Sequence, residues 1–126
     1  MTLEFRETAE SKNAGITYHL AIQEEWDTQK HGSSYVPGAY AADGFVHCTN
    51  GLDLLTEIAN MFYKGSPDER TILVLDTSRI ESPVRYDDET EQFPHIYGPI
   101  NTSAVVGELP VGRSEDGTFI MMGTRA

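Results

Sequence analysis

Short runs of β-branched and aromatic residues, separated by Gly, Pro, Asn and Thr, recur along the chain and predict strands. Most of these runs alternate between polar and apolar side chains, as in strands with one buried face. The predicted strands lie at about 16–22, 44–48, 71–76, 83–87 and 104–109, with a further one around His95 and a last hairpin that turns at Asp116 and Gly117. The run at 71–76 shows no alternation and is apolar without interruption from Ile72 to Leu75, which predicts a strand covered on both faces.

A clear helical spacing of apolar residues occurs over about 51–64. The stripe, whose members step by three and four residues, consists of Leu52, Leu55, Ala59 and Phe62. Thr49 or Asn50 is the expected N-cap. A shorter helix is predicted over about 22–32, where acidic residues come first, basic residues come last and Gly32 ends it.

Two helices and about six strands predict a small α+β domain with a mixed or mainly antiparallel sheet. Residues 1–14 are polar and are predicted to form a flexible N-terminal arm. Residues 15–126 are predicted to form a single α+β domain.

Three of the four histidines lie in predicted strands, on the less apolar parity of each run. They are His19, His47 and His95. Side chains alternate between the two faces of a strand, so neighbouring strands can present one imidazole each to a common cleft. Imidazole, with an ordinary pKa of about 6.5, serves as acid, base, hydrogen-bond donor or metal ligand near neutrality. The alternative for each histidine alone is a local structural contact, such as His95 with Glu91 or Asp87.

The remaining histidine and the single cysteine are assigned to structure. His31 falls in the last turn of the shorter predicted helix, where a positive charge complements the helix dipole. Cys48 follows His47 directly, so the two side chains point to opposite faces and cannot pair. Cys48 is therefore predicted to be a buried structural residue.

A strand, a turn and the best predicted helix follow one another directly after His47. The N-terminus of a helix presents unpaired N–H groups and favours a phosphate or carboxylate. The junction therefore indicates an anion site near His47, and the alternative is that Asn50 only caps the helix.

Charge and composition exclude several classes of partner. The net charge is −11, from 20 acidic and 9 basic residues, without a basic stripe, so extended nucleic-acid binding is not expected. No apolar run approaches the length of a membrane span and no leader is evident, so we expect a cytoplasmic protein without a membrane partner. The single cysteine agrees with that location.

Metal-ligand spacings are lacking in the sequence. It contains no His-x-His, His-Glu-x-x-His or Cys-x-x-Cys pattern, so no metal is expected. The alternative is a zinc site formed by the three strand histidines, which lie far apart in the sequence.

These histidine segments resemble a bacterial family, the domain of unknown function 952, over about Ile16 to Leu109. The segments that carry the resemblance are Tyr18-His19-Leu20-Ala21, Asp43-Gly44-Phe45-Val46-His47-Cys48-Thr49, Val84-Arg85-Tyr86 and Phe93-Pro94-His95-Ile96-Tyr97-Gly98-Pro99-Ile100. The fold of this family is similar to that of ADP-ribosyltransferases. The resemblance therefore implies a split sheet of the ADP-ribosylation type with a cleft that binds NAD or a related nucleotide.

Under this reading the predicted site has a catalytic and a cofactor-binding part. The catalytic residues are His47, His95 and Glu91, whose carboxylate would stabilise positive charge on a sugar. The cofactor-binding residues are His19, Thr49, Tyr97 and Arg85, with Arg85 as the anion contact. The reaction would transfer an ADP-ribosyl or phosphoryl-type group.

Two other functions use the same residues. One is a non-catalytic module that binds a small anion or metabolite in the same cleft. The other is a metal-dependent hydrolase with His19, His47 and His95 as ligands. Convergence of the three imidazoles in one pocket is the spatial condition that these hypotheses share.

Overall fold

The computed structural model describes residues 15–120, and the predicted N-terminal arm lies outside that range. The protein is a mixed α+β structure whose strand pairs are antiparallel. The strands are β1 Ile16–Ile22, β2 Ser34–Tyr35, β3 Val46–His47, β4 Arg70–Asp76, β5 Val84–Tyr86, β6 Pro94–Ile96, β7 Ile100–Asn101, β8 Val105–Leu109, β9 Gly112–Arg113 and β10 Phe119–Ile120. The helices are α1 Gln23–Gln29, α2 Tyr40–Asp43 and α3 Leu52–Phe62, with 3-10 turns at Thr77–Arg79 and Thr102–Ala104. Within the described range, no helix has the length and apolar character needed to cross a membrane.

The apolar run predicted to be covered on both faces forms the middle strand of the main sheet, whose order is β1-β4-β8. Residues 71–75 of β4 are all buried, which confirms that prediction. His19 of β1 lies opposite Leu73 of β4, so both side chains point to the same face of the sheet.

The two faces of the main sheet carry separate cores. The predicted stripe of α3, with Leu52, Leu55 and Ala59, packs on one face against Tyr18 and Val74. The opposite face is covered by a second cluster, which contains Trp26, Tyr35, Val46, Cys48, Leu73, Leu75, Ile96 and Ile100. The chain thus buries apolar side chains on both sides of β4, which explains why β4 shows no alternation.

A second sheet, of order β3-β6-β5, stands beside the main one. The two sheets join at Tyr18 and Thr49, which exchange both backbone hydrogen bonds at 3.0 and 2.8 Å. Within residues 15–120, no strand pairs with the same edge of β1 beyond this bridge. The main sheet and the second sheet therefore separate after Tyr18, and β1 keeps an open edge.

The helices differ from the prediction in number and ends. The shorter predicted helix ends at Gln29, so Lys30 and His31 lie beyond its last turn, and the short α2 is a third helix that no periodicity indicated. Helix α3 begins after Gly51, which has φ 122° and no side chain with which to cap the helix. The predicted cap Asn50 donates instead to the Tyr86 hydroxyl at 3.0 Å, because the loop before β6 lies against it.

Candidate functional site

A cavity of about 820 Å³ opens where the two sheets separate. We call it the cleft. Strand β1 and helix α3 form one side, and β3 and β6 form the other. A volume of about 300–1,000 Å³ is typical of pockets for small molecules and cofactors. The cleft is therefore large enough for a nucleotide.

His19 lies at the back of the cleft with both ring nitrogens bonded. Its Nδ1 is 2.8 Å from the backbone oxygen of His47, and its Nε2 is 2.9 Å from the hydroxyl of Tyr35. A carbonyl only accepts, so Nδ1 carries the proton and Nε2 accepts from Tyr35. Burial lowers the pKa of His19 to about 4, partly opposed by the bond to His47. The imidazole is therefore neutral at pH 7.

His19 also explains why the two sheets separate. The pairing of Tyr18 with Thr49 would place Leu20 opposite His47 if the ladder continued. The carbonyl of His47 instead accepts the Nδ1 proton of His19. The N–H and C=O of Leu20 point to the same edge as those of Tyr18, and no backbone partner for them lies among residues 15–120. A donor and an acceptor of the backbone therefore face the cleft.

His47 and His95 lie directly opposite each other in the β3–β6 pair, so both side chains emerge on one face. Their ring centroids are 5.5 Å apart. Phe45 stacks on His95 at 3.9 Å between centroids and meets His47 edge-on at 4.6 Å. This aromatic packing fixes the planes of both imidazoles at the cleft wall.

A carboxylate orients each of these imidazoles. His47 Nε2 donates to Asp43 Oδ2 at 3.0 Å, and His95 Nδ1 donates to Asp87 Oδ2 at 2.8 Å. The Tyr97 hydroxyl donates to the same Asp87 oxygen at 2.5 Å. The hydrogen bonds from Tyr97 and His95 hold the pKa of Asp87 below its usual value. A carboxylate–imidazole pair of this kind is the arrangement that orients a general acid or base.

Arg70, at the start of β4, is a cleft residue that the sequence analysis missed. Its side chain is only 8% exposed, and its guanidinium lies over the Tyr63 ring at 4.2 Å from the centroid. The nearest carboxylate oxygen, of Asp68, is 3.8 Å away, and its buried Nε has no hydrogen-bond partner among the described residues. An arginine is a stronger anion contact than a helix end, because its fork of donors fits phosphate.

Four predicted site residues line the cleft, namely His19, His47, Thr49 and His95. The three histidines therefore line one pocket, which is the condition that the three functional hypotheses share. Thr49 is buried, and its backbone is occupied by the bridge to Tyr18.

The other three predicted site residues do not line the cleft. Tyr97 and Arg85 meet at Asp87, where Arg85 Nη2 is 3.4 Å from Oδ1, on the outer side of His95. The side chain of Arg85 is 66% exposed. Glu91 has a left-handed backbone, with φ 54°, and its carbonyl accepts from the Asn50 side chain. From the loop that holds Glu91, the structure brings Asp87 and Asp88 to the cleft instead.

The N-terminus of α3 does not face the cleft. Gly51 is buried, and the helix contributes later residues to the lining, including Leu55, Ile58 and Met61. The anion site expected at this junction is therefore misplaced, and Arg70 is the cation that the cleft contains. Cys48 is buried, and burial raises the pKa of its thiol, which confirms the structural assignment.

The three histidines do not present three ligands to one point. Both nitrogens of His19 are bonded to protein atoms, and one nitrogen each of His47 and His95 is bonded to a carboxylate. In the part of the chain from 15 to 120, no cluster of three or more His, Cys, Asp or Glu side chains is arranged to hold a metal ion.

Comparison with known proteins places the chain among relatives of the same fold. A crystal structure of protein CC0527 from Caulobacter crescentus is similar with a TM-score of 0.70 and 23% identity, over 84% of this chain and 94% of that chain. The solution NMR structure of CC0527 is similar with a TM-score of 0.67 and 22% identity, over 85% of this chain and 93% of that chain. At this identity the likeness shows the α+β fold. A search of curated proteins finds no match.

The family comparison agrees with the resemblance carried by the histidine segments. The model of the family described as "Protein of unknown function (DUF952)" matches residues 20–108, from the last three residues of β1 to all but the last residue of β8. The match covers more than half of the chain, and the protein therefore belongs to the DUF952 family.

Proposed function

We propose that the cleft binds a phosphate-bearing nucleotide and that Arg70 is the contact for its phosphate. NAD is the ligand of this class that the resemblance to ADP-ribosyltransferases implies. A small anion without a base is the simpler ligand that the same contact would accept.

The observation that carries this proposal is which charged side chains around the cleft already have hydrogen-bond partners. The acidic lining residues each accept a hydrogen bond, Glu25 from the Gly38 amide, Asp43 and Asp87 from histidines, and Asp88 from the backbone. Arg70 has no such bond within residues 15–120. A buried charge without hydrogen bonds is costly unless a ligand supplies the missing partner. An anionic ligand would therefore supply the hydrogen-bond acceptor that Arg70 lacks among these residues.

The side of the cleft formed by α3, next to Arg70, suits the base of a nucleotide. The cleft is lined there by apolar and aromatic side chains of α3 and the residue after it, namely Ile58, Met61, Phe62 and Tyr63. Met61 and Phe62 are 70% and 66% exposed, so apolar surface is available at the rim. Aromatic and apolar contacts bind bases without regard to sequence, because every base has a flat face.

The predicted residues take different roles in this proposal. His19 holds Tyr35 and the carbonyl of His47 in place, and it contacts a ligand through a nitrogen only if Tyr35 releases it. His47, His95 and Thr49 line the cleft, and we assign the direct contacts with the ligand to them. Tyr97 and Arg85 act through Asp87, and Glu91 acts through the loop that it shares with Asp87.

Isothermal titration calorimetry with NAD, ADP and inorganic diphosphate tests this proposal. Wild type is expected to bind the nucleotides, and Arg70→Gln is expected to weaken binding by about 10-fold or more, the loss typical of a charged hydrogen bond. Arg79→Gln, on an exposed arginine paired with Asp76, is the matched control and should bind like wild type. Arg85→Gln tests the anion contact expected from the sequence. No heat with any of the three compounds at millimolar concentration, or equal binding by Arg70→Gln, would reject the proposal.

Chromatography of NAD after incubation with the protein separates catalysis from binding. Release of nicotinamide supports ADP-ribosyl transfer or hydrolysis. Binding of NAD without any product supports the module that binds a metabolite and does no chemistry.

A further inference from the structure

Among residues 15–120, His47 and His95 each have one ring nitrogen bonded to a carboxylate and the other ring nitrogen without a partner. His47 Nε2 donates to the carboxylate of Asp43, and His95 Nδ1 donates to the carboxylate of Asp87. The remaining nitrogens are His47 Nδ1 and His95 Nε2, and neither has a hydrogen-bond partner in the described part of the chain. Both rings line the cleft. Two oriented imidazoles with a free nitrogen thus stand at one wall of one cavity.

The two rings are also close enough to act on one reacting group. Their centroids are 5.5 Å apart, with an interplanar angle of 77°, and Phe45 packs against both. A side chain with this support loses little freedom when a substrate binds, which is the condition for efficient proton transfer. His19 cannot be a third member, because its pKa is lowered and both its nitrogens are bonded.

We propose that His47 and His95 form a general acid–base pair that hydrolyses a phosphodiester bond of a nucleotide. This inference rests on the proposed function, because Arg70 supplies the phosphate contact in the same cleft. A nucleoside 2′,3′-cyclic phosphate is the probe of this substrate class.

The reaction uses one proton transfer at each histidine. The neutral imidazole takes a proton from water as the water oxygen forms its bond to phosphorus. The protonated imidazole gives its proton to the ribose oxygen as the bond from phosphorus to that oxygen breaks. The product is a nucleoside monophosphate, and exchange with solvent restores the two histidines. Arg70 would offset the negative charge of the phosphate oxygens throughout.

The need for two histidines favours this bond over the glycosidic bond of NAD. Nicotinamide leaves with the bonding electron pair on its ring nitrogen and becomes neutral, so it takes no proton from the protein. An alkoxide leaving from phosphorus is a strong base and needs one. Two oriented imidazoles therefore match a reaction in which water loses a proton and an oxygen leaving group gains one.

The first experiment measures hydrolysis of the four 2′,3′-cyclic nucleotides by ³¹P NMR, with EDTA present. Wild type is expected to form monophosphate, and His47→Ala and His95→Ala are each expected to lower the rate by about 100-fold or more. His31→Ala changes an exposed histidine outside the cleft, and it should keep the wild-type rate. The absence of hydrolysis with all four nucleotides, or full activity in either cleft variant, would overturn the inference.

A second substrate separates proton transfer from a structural role. The 4-nitrophenyl ester of thymidine 5′-phosphate has a leaving group that needs no proton. The variant that lacks the general acid should hydrolyse this ester at close to the wild-type rate. The variant that lacks the general base should remain slow. Equal losses in both variants on both substrates would mean that the histidines only support the structure, and the inference would fail.

Calorimetry with ADP distinguishes this failure from a failure of the proposed function. Binding of ADP that depends on Arg70, together with no hydrolysis, rejects the acid–base pair and keeps the nucleotide cleft. No binding of ADP and no hydrolysis reject both. Hydrolysis that requires both histidines supports both.

Discussion

The Nδ1 atom of His19 lies 2.8 Å from the backbone oxygen of His47, in the position where a backbone amide of β1 would complete a ladder between the sheets. The other nitrogen, Nε2, accepts from the Tyr35 hydroxyl at 2.9 Å. A single buried imidazole thus satisfies a carbonyl of the second sheet and a tyrosine of the core. The cleft exists because the carbonyl of His47 accepts a hydrogen bond from the side chain of His19 and not from the backbone amide of Leu20.

The neutral state of His19 predicts that stability falls in weak acid. Burial lowers the pKa of His19 in the folded protein to about 4, against about 6.5 in the unfolded chain. The unfolded chain therefore binds more protons between these values. The contribution is fully present above pH 6.5 and is lost as the pH falls towards 4, by on the order of 3 kcal/mol. Urea denaturation between pH 7.5 and about pH 4 measures it.

His19→Gln is the control for this pH dependence, because glutamine does not titrate. All other titrating groups are common to both proteins, so the difference between the two stability curves isolates His19. We expect the wild-type curve to fall more steeply than the variant's below pH 6.5. Parallel curves would contradict a buried neutral His19.

Arg70 and Arg113 are predicted to differ in how much stability each loses on substitution by methionine. Arg113 donates to backbone carbonyls of Gly117 at 3.1 Å and of Lys64 at 3.0 Å, so Arg113→Met should lower the free energy of unfolding by about 2–4 kcal/mol. Arg70→Met removes a buried cation without hydrogen bonds and a contact with Tyr63, so it should lie within about 1 kcal/mol of wild type.

Urea denaturation without ligand compares the two methionine variants. A loss of more than about 2 kcal/mol in Arg70→Met would identify Arg70 as a structural residue and weaken the case for a ligand contact.

Cys48 is predicted to be unreactive while the protein is folded. The thiol is buried, and burial raises its pKa, so the thiolate that reacts with disulfide reagents is scarce. With 5,5′-dithiobis(2-nitrobenzoate) at pH 8, we expect slow labelling of the native protein and rapid labelling in urea. Stoichiometric labelling of the folded protein within seconds would contradict this placement.

Two glutamates of the acidic loop are predicted to respond oppositely to glycine. Glu91 has φ 54°, a left-handed conformation that costs an L-residue about 1 kcal/mol, so Glu91→Gly should raise the free energy of unfolding by up to about 1 kcal/mol. Glu89, in the same loop, has no positive φ, so Glu89→Gly should lower it by about 0.5–1 kcal/mol. Thermal unfolding compares them, and a loss in both variants would contradict a strained Glu91.

Features set by local pattern were predictable from the sequence. The apolar run of β4, the parity of the three histidines and three of the four stripe residues of α3 follow from side-chain periodicity and appear in the structure. The fourth stripe residue, Phe62, is wrong as a core residue, because it is 66% exposed. Cys48 was assigned to the core on the same basis, since it shares the parity of Val46. The α+β class follows from the order of these elements.

Features set by contacts between distant residues were not predictable. The N-cap position of α3 falls on Gly51, and the side-chain NH2 of Asn50 donates to the Tyr86 hydroxyl and the carbonyl of Glu91, both far along the chain. Arg70 looked like an ordinary polar residue before an apolar strand, and only the turn of the chain after α3 brings it to the cleft. Arg85 lies opposite His95 in the β5–β6 pairing, yet its exposed side chain reaches only Asp87 at the rim and does not line the cleft.

The open edge of β1 beyond Tyr18 exposes the main sheet to pairing with another chain. Unpaired N–H and C=O groups along a strand edge are a template on which another chain can add a strand. The gap between the sheets therefore leaves this edge open to strand exchange and aggregation. The ligand that we propose for the cleft would cover Leu20, so occupancy of the site and protection of the sheet would be one event.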